Sequence, residues 1–362
     1  MAYTTIDDPS AHFQIATWTG NATARNITND GNSDLQPDFI WMKCMDSNTA
    51  HIWQLSNLGV TKYFRCNVTS EIGTASSLIS SFNTNGFGIT SSSENNVNNE
   101  QNVAWLWKAG GNSTSSNTDG DITSTIQTNT TAGFSTGTYT GNGSDNQTIG
   151  HGLGAKPNWI IIKRKDTAAA WLVWHENNAA NHVLRLPHTA TESDSASGRV
   201  SARASNSRGT SSIFTVFQGS SAYDNCNING DTYVFWAWAE KQGYSKFGSY
   251  IGSGNRSQAP FIYTGFQPAW LMVKNAEQDV GWSVFDNERV IANGDMHYIA
   301  ANTTAPESGS GFSHVDPVDF VSNGFRIMNA DAWMNTVNKK FVYMAFAQHP
   351  FVTSTGLPVT AR

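Results

Sequence analysis

The tryptophans of this sequence are the first residues whose type suggests a binding function. Exposed Trp and Tyr rings can stack on sugar faces, while Asn and Asp side chains hydrogen-bond the sugar hydroxyls. Five tryptophans are candidates for such a glycan-stacking platform: Trp53, Trp171, Trp174, Trp282 and Trp333. Large rings also fill protein cores, and core packing is the competing interpretation for each of the five.

Motifs for nucleotide hydrolysis and zinc chemistry are missing. The sequence has no Gly-x-x-x-x-Gly-Lys-Ser/Thr phosphate loop and no His-Glu-x-x-His pair. His175, His182 and His188 have a spacing that fits no metal-ligand pattern, and we expect them on loop or strand surfaces. The sequence therefore predicts no metal and no cofactor.

Carboxylate pairs for glycoside cleavage can come from distant positions in a sequence. The candidates are Glu176, Asp279 and Asp286. No acid recurs at matched positions of the internal repeat described below, as it would if every copy were catalytic. We therefore predict that the protein is not an enzyme.

Composition excludes several classes of protein. Charged residues make up 14% of the 362 residues and the net charge is −6, which is not the electrostatic footprint of a nucleic-acid binder. No run of about 18 apolar residues predicts membrane insertion. Cys44, Cys66 and Cys226 are too few for a disulfide framework. The first residues lack the pattern of a signal peptide, so we expect synthesis in a cytoplasm without Sec-dependent secretion.

An internal repeat organises the chain. Three segments read Pro-x-aromatic-aliphatic-x-aliphatic-Lys: Pro37–Lys43, Pro157–Lys163 and Pro268–Lys274. Each follows a Phe-led segment ending in Gly and precedes an aromatic segment that closes the copy. The Phe-led segments start at Phe13, Phe134 and Phe247, and the closing segments are 104–107, 235–238 and 343–346. The spacing of more than 100 residues suits a domain rather than a solenoid repeat.

The residues of each copy favour β-strands. Short apolar, aromatic-rich runs bounded by turn residues are typical of strands, and no long segment has helical periodicity. We predict an all-β protein of three tandem β-sandwich domains of the jelly-roll or lectin-like kind. The predicted domains are 1–111, 112–242 and 243–350, with a C-terminal tail at 351–362. The recurring lysines, Lys43, Lys163 and Lys274, are expected to cap a strand with their stems on apolar surface, and a shared ligand contact is the alternative.

The chain resembles a family of repeat-built virion structural proteins of tailed bacteriophages, especially marine and cyanobacterial phages. The segments that carry the resemblance are Met1–Ala11, Asp30–Asp38, Val103–Gly111, Gly150–Pro157, Tyr343–Phe351 and Pro358–Arg362. The resemblance implies a fibre-like or decoration protein of the virion, made in the bacterial host cytoplasm. It implies no catalytic residue.

Three functions remain open from the sequence. The leading one is a virion surface protein, in a tail fibre, spike or capsid decoration, that contributes to attachment at host-surface glycans. The second is a mechanical cement protein without a ligand, and the third is a polysaccharide-cleaving tailspike. In the leading hypothesis the partners are capsid or tail subunits and a host glycan, and we expect a homo-oligomer, with a trimer as the guess.

Overall fold

The fold was established from a computed structural model, which describes residues 2–179, 182–194, 209–218, 225–289, 296–307 and 317–359. About 43% of the chain is strand and about 3% is helix, so the all-β prediction is confirmed. The helical residues form three short 3-10 turns: Pro9–Ala11, Ser56–Leu58 and Arg256–Gln258. In these residues no helix is long and apolar enough to cross a membrane.

The first repeat forms two antiparallel sheets. Its strands are β1 (Phe13–Thr19), β2 (Arg25–Ile27), β3 (Phe39–Cys44), β4 (Ile52–Leu55), β5 (Lys62–Arg65), β6 (Gly73–Thr74), β7 (Ile79–Asn83), β8 (Gly86–Ile89) and β9 (Gln101–Trp107). The larger sheet has the order β1-β9-β3-β4-β5-β6 and the smaller one β2-β8-β7. The Phe-led, Pro-led and closing segments of the repeat are therefore neighbours in one sheet.

The second repeat has the same plan with a longer sheet. Its strands are β10 (Ser115–Asn117), β11 (Ser124–Asn129), β12 (Phe134–Thr140), β13 (Gln147–Gly150), β14 (Trp159–Arg164), β15 (Trp171–His175), β16 (His182–Arg185), β17 (Ser193–Asp194), β18 (Ile213–Val216) and β19 (Thr232–Trp238). The larger sheet has the order β10-β11-β12-β19-β14-β15-β16-β17, and β13 pairs with β18.

The third repeat completes the series. Its strands are β20 (Ser245–Ile251), β21 (Phe261–Tyr263), β22 (Phe266–Asn275), β23 (Trp282–Asp286), β24 (Ile299–Ala300), β25 (Val318–Val321), β26 (Gly324–Ile327) and β27 (Lys340–Pro350). The two sheets have the orders β20-β27-β22-β23-β24 and β21-β26-β25. The strand sets β1-β9-β3-β4, β12-β19-β14-β15 and β20-β27-β22-β23 thus repeat one arrangement.

The central strands are buried on both faces, which explains their unbroken apolar sequence. In β3, Phe39 and Trp41 face one hydrophobic cluster, while Ile40 and Met42 face another. In each repeat the second kind of cluster takes its residues from the larger and the smaller sheet. Successive strand residues point to opposite faces, so one short segment contributes to two cores at once.

The first kind of cluster is common to all three repeats, and we call it the shared core. It contains ten of the thirteen tryptophans. They are Trp41, Trp53, Trp105, Trp107, Trp159, Trp171, Trp236, Trp238, Trp270 and Trp282. Rings from each pair of repeats meet edge to face: Trp53 and Trp171 have centroids 5.0 Å apart, Trp107 and Trp270 5.6 Å, and Trp159 and Trp282 6.1 Å. The three larger sheets therefore pack against one another around a single aromatic interior.

A buried asparagine recurs at one place in each repeat. Its side-chain oxygen accepts a hydrogen bond from the main-chain amide that follows the glycine of the Phe-led segment. The three pairs are Asn96 with Asn21 at 3.0 Å, Asn227 with Asn142 at 3.0 Å, and Asn335 with Ser253 at 2.7 Å. The glycine is required because a Cβ on Gly20 would lie 1.9 Å from the carbonyl oxygen of Val97, and the corresponding distances at Gly141 and Gly252 are 2.3 and 2.1 Å. The same local structure thus holds each repeat together.

We expect Trp53→Ala to lower the free energy of unfolding by about 3–5 kcal/mol, because it opens a cavity among packed rings. Trp53 is 1% exposed and contacts rings of its own repeat and of the second. Urea denaturation measures the change. The matched control is Val337→Ala at a side chain that is 54% exposed, which we expect to change stability by less than about 0.5 kcal/mol. Equal losses in the two variants would contradict the shared core.

Candidate functional site: a cleft between the first and third repeats

The residue after the repeated proline holds the chain where one repeat ends and the next begins. In the first repeat this residue is Asp38, which is fully buried. Its carboxylate accepts hydrogen bonds from the amides of Ala109, Gly111 and Asn112 at 2.7, 2.8 and 2.9 Å. Bonds from main-chain amides to a carboxylate are among the stronger hydrogen bonds in proteins. Asp38 therefore fixes the exit of the first repeat.

The third repeat departs from this pattern. In the second repeat Asn158 takes the place of Asp38, and its Oδ1 accepts from the amide of Glu240 at 2.7 Å. In the third repeat the same position is Ala269, whose methyl group offers no acceptor. The pairing of β22 with β27 is irregular there, on either side of Pro268. The side chain of Ala269 therefore borders an open space, where Asp38 and Asn158 make polar contacts in their own repeats.

That open space is a cleft of about 250 Å³ between the first and third repeats. Its buried floor is made by Phe13, Gln14, Ile15, Ala269 and Ala347. Four titratable side chains line it: Asp8, Asp30, Glu288 and His349. Three side-chain amides add to the polar wall, those of Asn32, Asn287 and Gln348. The cleft thus combines a floor that is apolar except for Gln14 with a polar, mainly acidic rim.

The N-terminal segment holds one wall through Asp8. This carboxylate caps the 3-10 turn Pro9–Ala11 and accepts from the amide and hydroxyl of Ser10 at 3.0 and 2.6 Å, and from the Ser33 hydroxyl at 2.6 Å. Partial burial acts to raise the pKa of Asp8, but the hydrogen bonds from Ser10 and Ser33 outweigh it and leave the pKa below its ordinary value. Asp8 is therefore ionised at neutral pH.

Gln14 fixes the loop that carries Asp30. Its Nε2 donates to the carbonyls of Ser10 and Ser33 at 2.8 and 2.7 Å, and its Oε1 accepts from the amide of Gly31 at 3.1 Å. A Cβ on Gly31 would lie 2.6 Å from the end of the Gln14 side chain, so a larger residue there would displace the Gln14 amide from these hydrogen bonds. The side chain of Gln14 thereby joins strand β1 to the rim.

The opposite wall is formed by residues that come directly after strand β23. Asn287 donates its amide to the carbonyl of Ala269 at 3.0 Å, and the amide of Glu288 donates to Asp286 at 3.2 Å. Asp286 is anchored in turn by a buried ion pair, with Arg289 Nε 2.6 Å from its Oδ2. Glu288 has an exposed side chain, but partial shielding of its carboxyl group raises its pKa, and the negative charges of Asp30 and Asp286 raise it further. Negative charge is therefore concentrated at this end of the cleft.

The cleft offers hydrogen-bond acceptors to a ligand. No lysine or arginine is among the residues that line it. Burial lowers the pKa of His349 against the opposing effect of Asp8, so this ring is neutral at neutral pH. In the part of the chain that the structure describes, no group of three or more His, Cys, Asp or Glu side chains could hold a metal ion. The arrangement suits a small, donor-rich organic group rather than a metal or an anion.

Four of the five tryptophans predicted to stack on glycans have no exposed face. Trp53, Trp171 and Trp282 lie in the shared core and Trp174 lies in the local core of the second repeat, all at 2% exposure or less. The prediction of an exposed platform is corrected for these four, because their rings are covered by other side chains. Trp333 keeps a partly exposed ring and packs against Tyr298, with centroids 5.9 Å apart.

The exposed aromatic rings are elsewhere, and the sequence analysis missed them. Phe261 and Tyr263 are 50% and 53% exposed on β21, an edge strand. They point to the same face because they are two residues apart on a strand. The alternation Phe-Ile-Tyr, with Ile262 buried, was the available signal. These rings lie at the surface of the third repeat.

The recurring lysines do not reach solvent. Lys43, Lys163 and Lys274 are buried, and each Nζ donates to the carbonyl of the next residue. Lys43 also donates to Ser47 and Lys274 to Gln278. Burial lowers the pKa of Lys43 to about 8 and that of Lys163 and Lys274 to about 7. Their role is to satisfy main-chain carbonyls at the end of the Pro-led strand.

Within the described residues, the scattered histidines and cysteines belong to no group of three or more His, Cys, Asp or Glu side chains that could hold a metal ion. His175 is fully buried on β15, so the expectation of a surface position is wrong for it, while His182 and His188 are partly exposed. The three cysteines are buried and free.

A sequence match to the Gly-x-Ser-x-Gly nucleophile motif occurs at Gly133–Gly137. The segment lies at the start of β12, where Ser135 is fully buried and its hydroxyl lies 3.0 Å from that of Thr128. The nucleophile of this motif belongs on an exposed turn between a strand and a helix. The match therefore places no serine nucleophile at a surface.

Buried neutral histidines make stability depend on pH. His51 accepts from Trp41 Nε1 at 2.9 Å, and its Nε2 lies 3.1 Å from the carbonyl oxygen of Ala300 in the third repeat. Burial lowers the pKa of His51 and of His175 to about 3, and that of His151 to about 4. Between these values and the ordinary 6.5, the unfolded chain binds more protons than the folded one. The free energy of unfolding must therefore fall as pH decreases below 6.5.

We expect the free energy of unfolding to drop by about 2 kcal/mol for each buried histidine between pH 7 and pH 4.5. Denaturation of the wild type and of His51→Gln at both pH values measures it. The variant is expected to be less stable at pH 7 and to lose less on acidification, because one of the three groups no longer titrates. Equal losses in the two proteins would contradict the assignment for His51.

A family model described as a domain of unknown function, DUF7483, matches residues 8–350. No curated protein and no solved structure matches the chain. The matched range spans all three repeats and includes the four titratable residues of the cleft.

Proposed function

The chain belongs to the DUF7483 family, and we propose that it is a bacteriophage virion surface protein that attaches to host-surface glycans without cleaving them. The glycan is bound in the cleft between the first and third repeats. The protein would belong to a tail fibre, a spike or a capsid decoration, with capsid or tail subunits as its other partners.

Within this proposal the chain is built of three tandem β-sandwich domains. The support is that each repeat has a larger and a smaller sheet with a hydrophobic cluster drawn from both. Every pairing between named strands joins strands of one repeat. The predicted boundaries at 111/112 and 242/243 lie in the connections from β9 to β10 and from β19 to β20. The shared core then fixes the three domains relative to one another.

The observation that carries the binding function is the cleft. The polar contact that fixes the chain in the first two repeats is missing at Ala269, and a polar-rimmed space lies there. Ligand sites in proteins are concave, with an apolar lining and a few directed polar groups. At about 250 Å³ the cleft suits one sugar ring rather than a drug-sized molecule. Sugar hydroxyls would donate to Asp30 and Glu288, while the ring's carbon face would lie on the apolar floor.

The virion role rests on the sequence resemblance and is consistent with the architecture. A protein on a particle has to keep its shape outside the cell. The ring contacts among Trp53, Trp107 and Trp159 and their partners join all three repeats, so the repeats have no flexible hinge through the shared core. The expectation of a homo-oligomer stays a prediction.

Immunogold labelling of intact virions with an antibody to this chain tests the location. Gold on the tail, the fibres or the head supports the proposal and identifies the structure that carries the protein. Protein found only in the lysate, with no gold on particles, would overturn it.

Binding to polysaccharide purified from the host envelope tests the function of the cleft. We expect Asp30→Asn combined with Glu288→Gln to weaken binding at least tenfold, which corresponds to about 1.4 kcal/mol. The matched control is Glu71→Gln, which removes an exposed carboxylate in the connection between β5 and β6 of the first repeat, outside the cleft. Unchanged binding in the double variant would reject the cleft as the site. New reducing ends during incubation would show cleavage and contradict the non-enzymatic role.

A further inference from the structure

We propose that the cleft selects a protonated amine, so that its preferred ligand is an amino sugar with a free ammonium group. This inference rests on the proposed function, because it assigns a ligand class to the same cleft. It follows from the balance of acceptors, donors and charge among the residues that line the cleft.

Carboxylates outnumber every source of positive charge in the cleft. Asp8, Asp30 and Glu288 contribute three acidic groups to the lining. Arg289, which follows Glu288 in the chain, is held by Asp286 and Glu307, with an N–O distance of 2.6 Å to each. An anionic sugar, such as a uronic acid, would therefore meet repulsion without a partner.

A side-chain acceptor in the wall also lacks a donor. Asn287 lines the cleft, and its Oδ1 is buried without a hydrogen-bond partner among the described residues. The main chain of Asn287 is held in place, because its N–H is bonded to the carbonyl of Ala269 and the next turn is anchored by the buried pair of Asp286 with Arg289. Rotation of the side chain alone can therefore turn Oδ1 toward the cleft. A buried acceptor without a partner costs about 1–3 kcal/mol, and this cost is recovered when Oδ1 turns to accept from a donor on the ligand.

An ammonium group would suit both the excess of carboxylates and the unpaired oxygen of Asn287. It carries three N–H donors and no acceptor, and its hydrogen bonds to carboxylates are about twice as strong as neutral ones. A neutral hydroxyl could donate to one of these oxygens but would leave the negative charge of the rim unbalanced. A divalent cation would need three or more suitable ligands, and no such group occurs in the described residues. The amine is thus the ligand group that the lining fits best.

Titration of the full-length protein with D-glucosamine, D-glucose and N-acetyl-D-glucosamine at pH 7 tests the inference. The three sugars differ at one position, which carries an amine, a hydroxyl or a neutral amide. We expect D-glucosamine to bind at least tenfold more tightly than the other two, and its affinity to fall with added salt. Calorimetry or ligand-observed NMR gives the affinities.

Variants assign the preference to the cleft. We expect Glu288→Gln to reduce the affinity for D-glucosamine to that for D-glucose, whereas Glu71→Gln keeps the wild-type preference. Glu288 is exposed, so its amide variant is expected to fold.

The outcomes separate this inference from the proposed function. Equal affinity for all three sugars, lost in the Asp30→Asn/Glu288→Gln variant, would overturn the amine preference and leave the glycan cleft standing. If methylammonium bound as tightly as D-glucosamine, the claim that the ligand is a sugar would be overturned. The cleft would then fit a lysine side chain of a protein partner. No binding of any sugar, together with unchanged polysaccharide binding in that variant, would overturn both.

Discussion

Burial of ten tryptophans between three sheets is the constraint on which the rest of the structure depends. Each aromatic side chain buries roughly 150–250 Å². Many of the rings pack edge to face with a neighbour, and others are stacked or tilted. Because these rings come from all three repeats, no repeat can complete its larger sheet's packing alone. The central strands must then be apolar on both faces, one for the local core and one for the shared core. Strand positions that face either core need apolar side chains, so few positions in the central strands can be charged. This agrees with the low share of charged residues in the chain, 14%.

The cleft is a consequence of closing three similar repeats around one interior. Two successive junctions are held by Asp38 and Asn158, which accept main-chain amides where the chain passes from one repeat to the next. In the third repeat Ala269 stands at this position, and its methyl group accepts no amide. The segment before β1, which carries Asp8, and the last residues of β27, which include His349, line the space that remains. The proposed ligand would make polar contacts where the Ala269 side chain offers no acceptor to the protein itself.

The sequence allowed the repeat and the strands to be predicted but not the direction of the side chains. Repeated landmarks such as Pro157–Lys163 identified strands because turn residues bound a short apolar run. The same runs gave no indication of which face meets solvent, since both faces are buried, and the stacking role of Trp53 and Trp171 was wrong for this reason. The position of the cleft could not be predicted from the sequence, because it depends on which main-chain amides lie beside Asp38, Asn158 and Ala269. Those amides are known only from the structure. Glu288 and Asp30 meet through packing between repeats that are far apart in sequence.

Native-state hydrogen exchange on the intact chain tests the shared core most directly. Amides of β9, β19 and β27, one central strand from each repeat, report on the opening of their own larger sheet. If the three sheets depend on one interior, the slowest amides of all three strands open with the same free energy, equal to that of global unfolding. Three separate opening free energies, one for each repeat, would contradict the account.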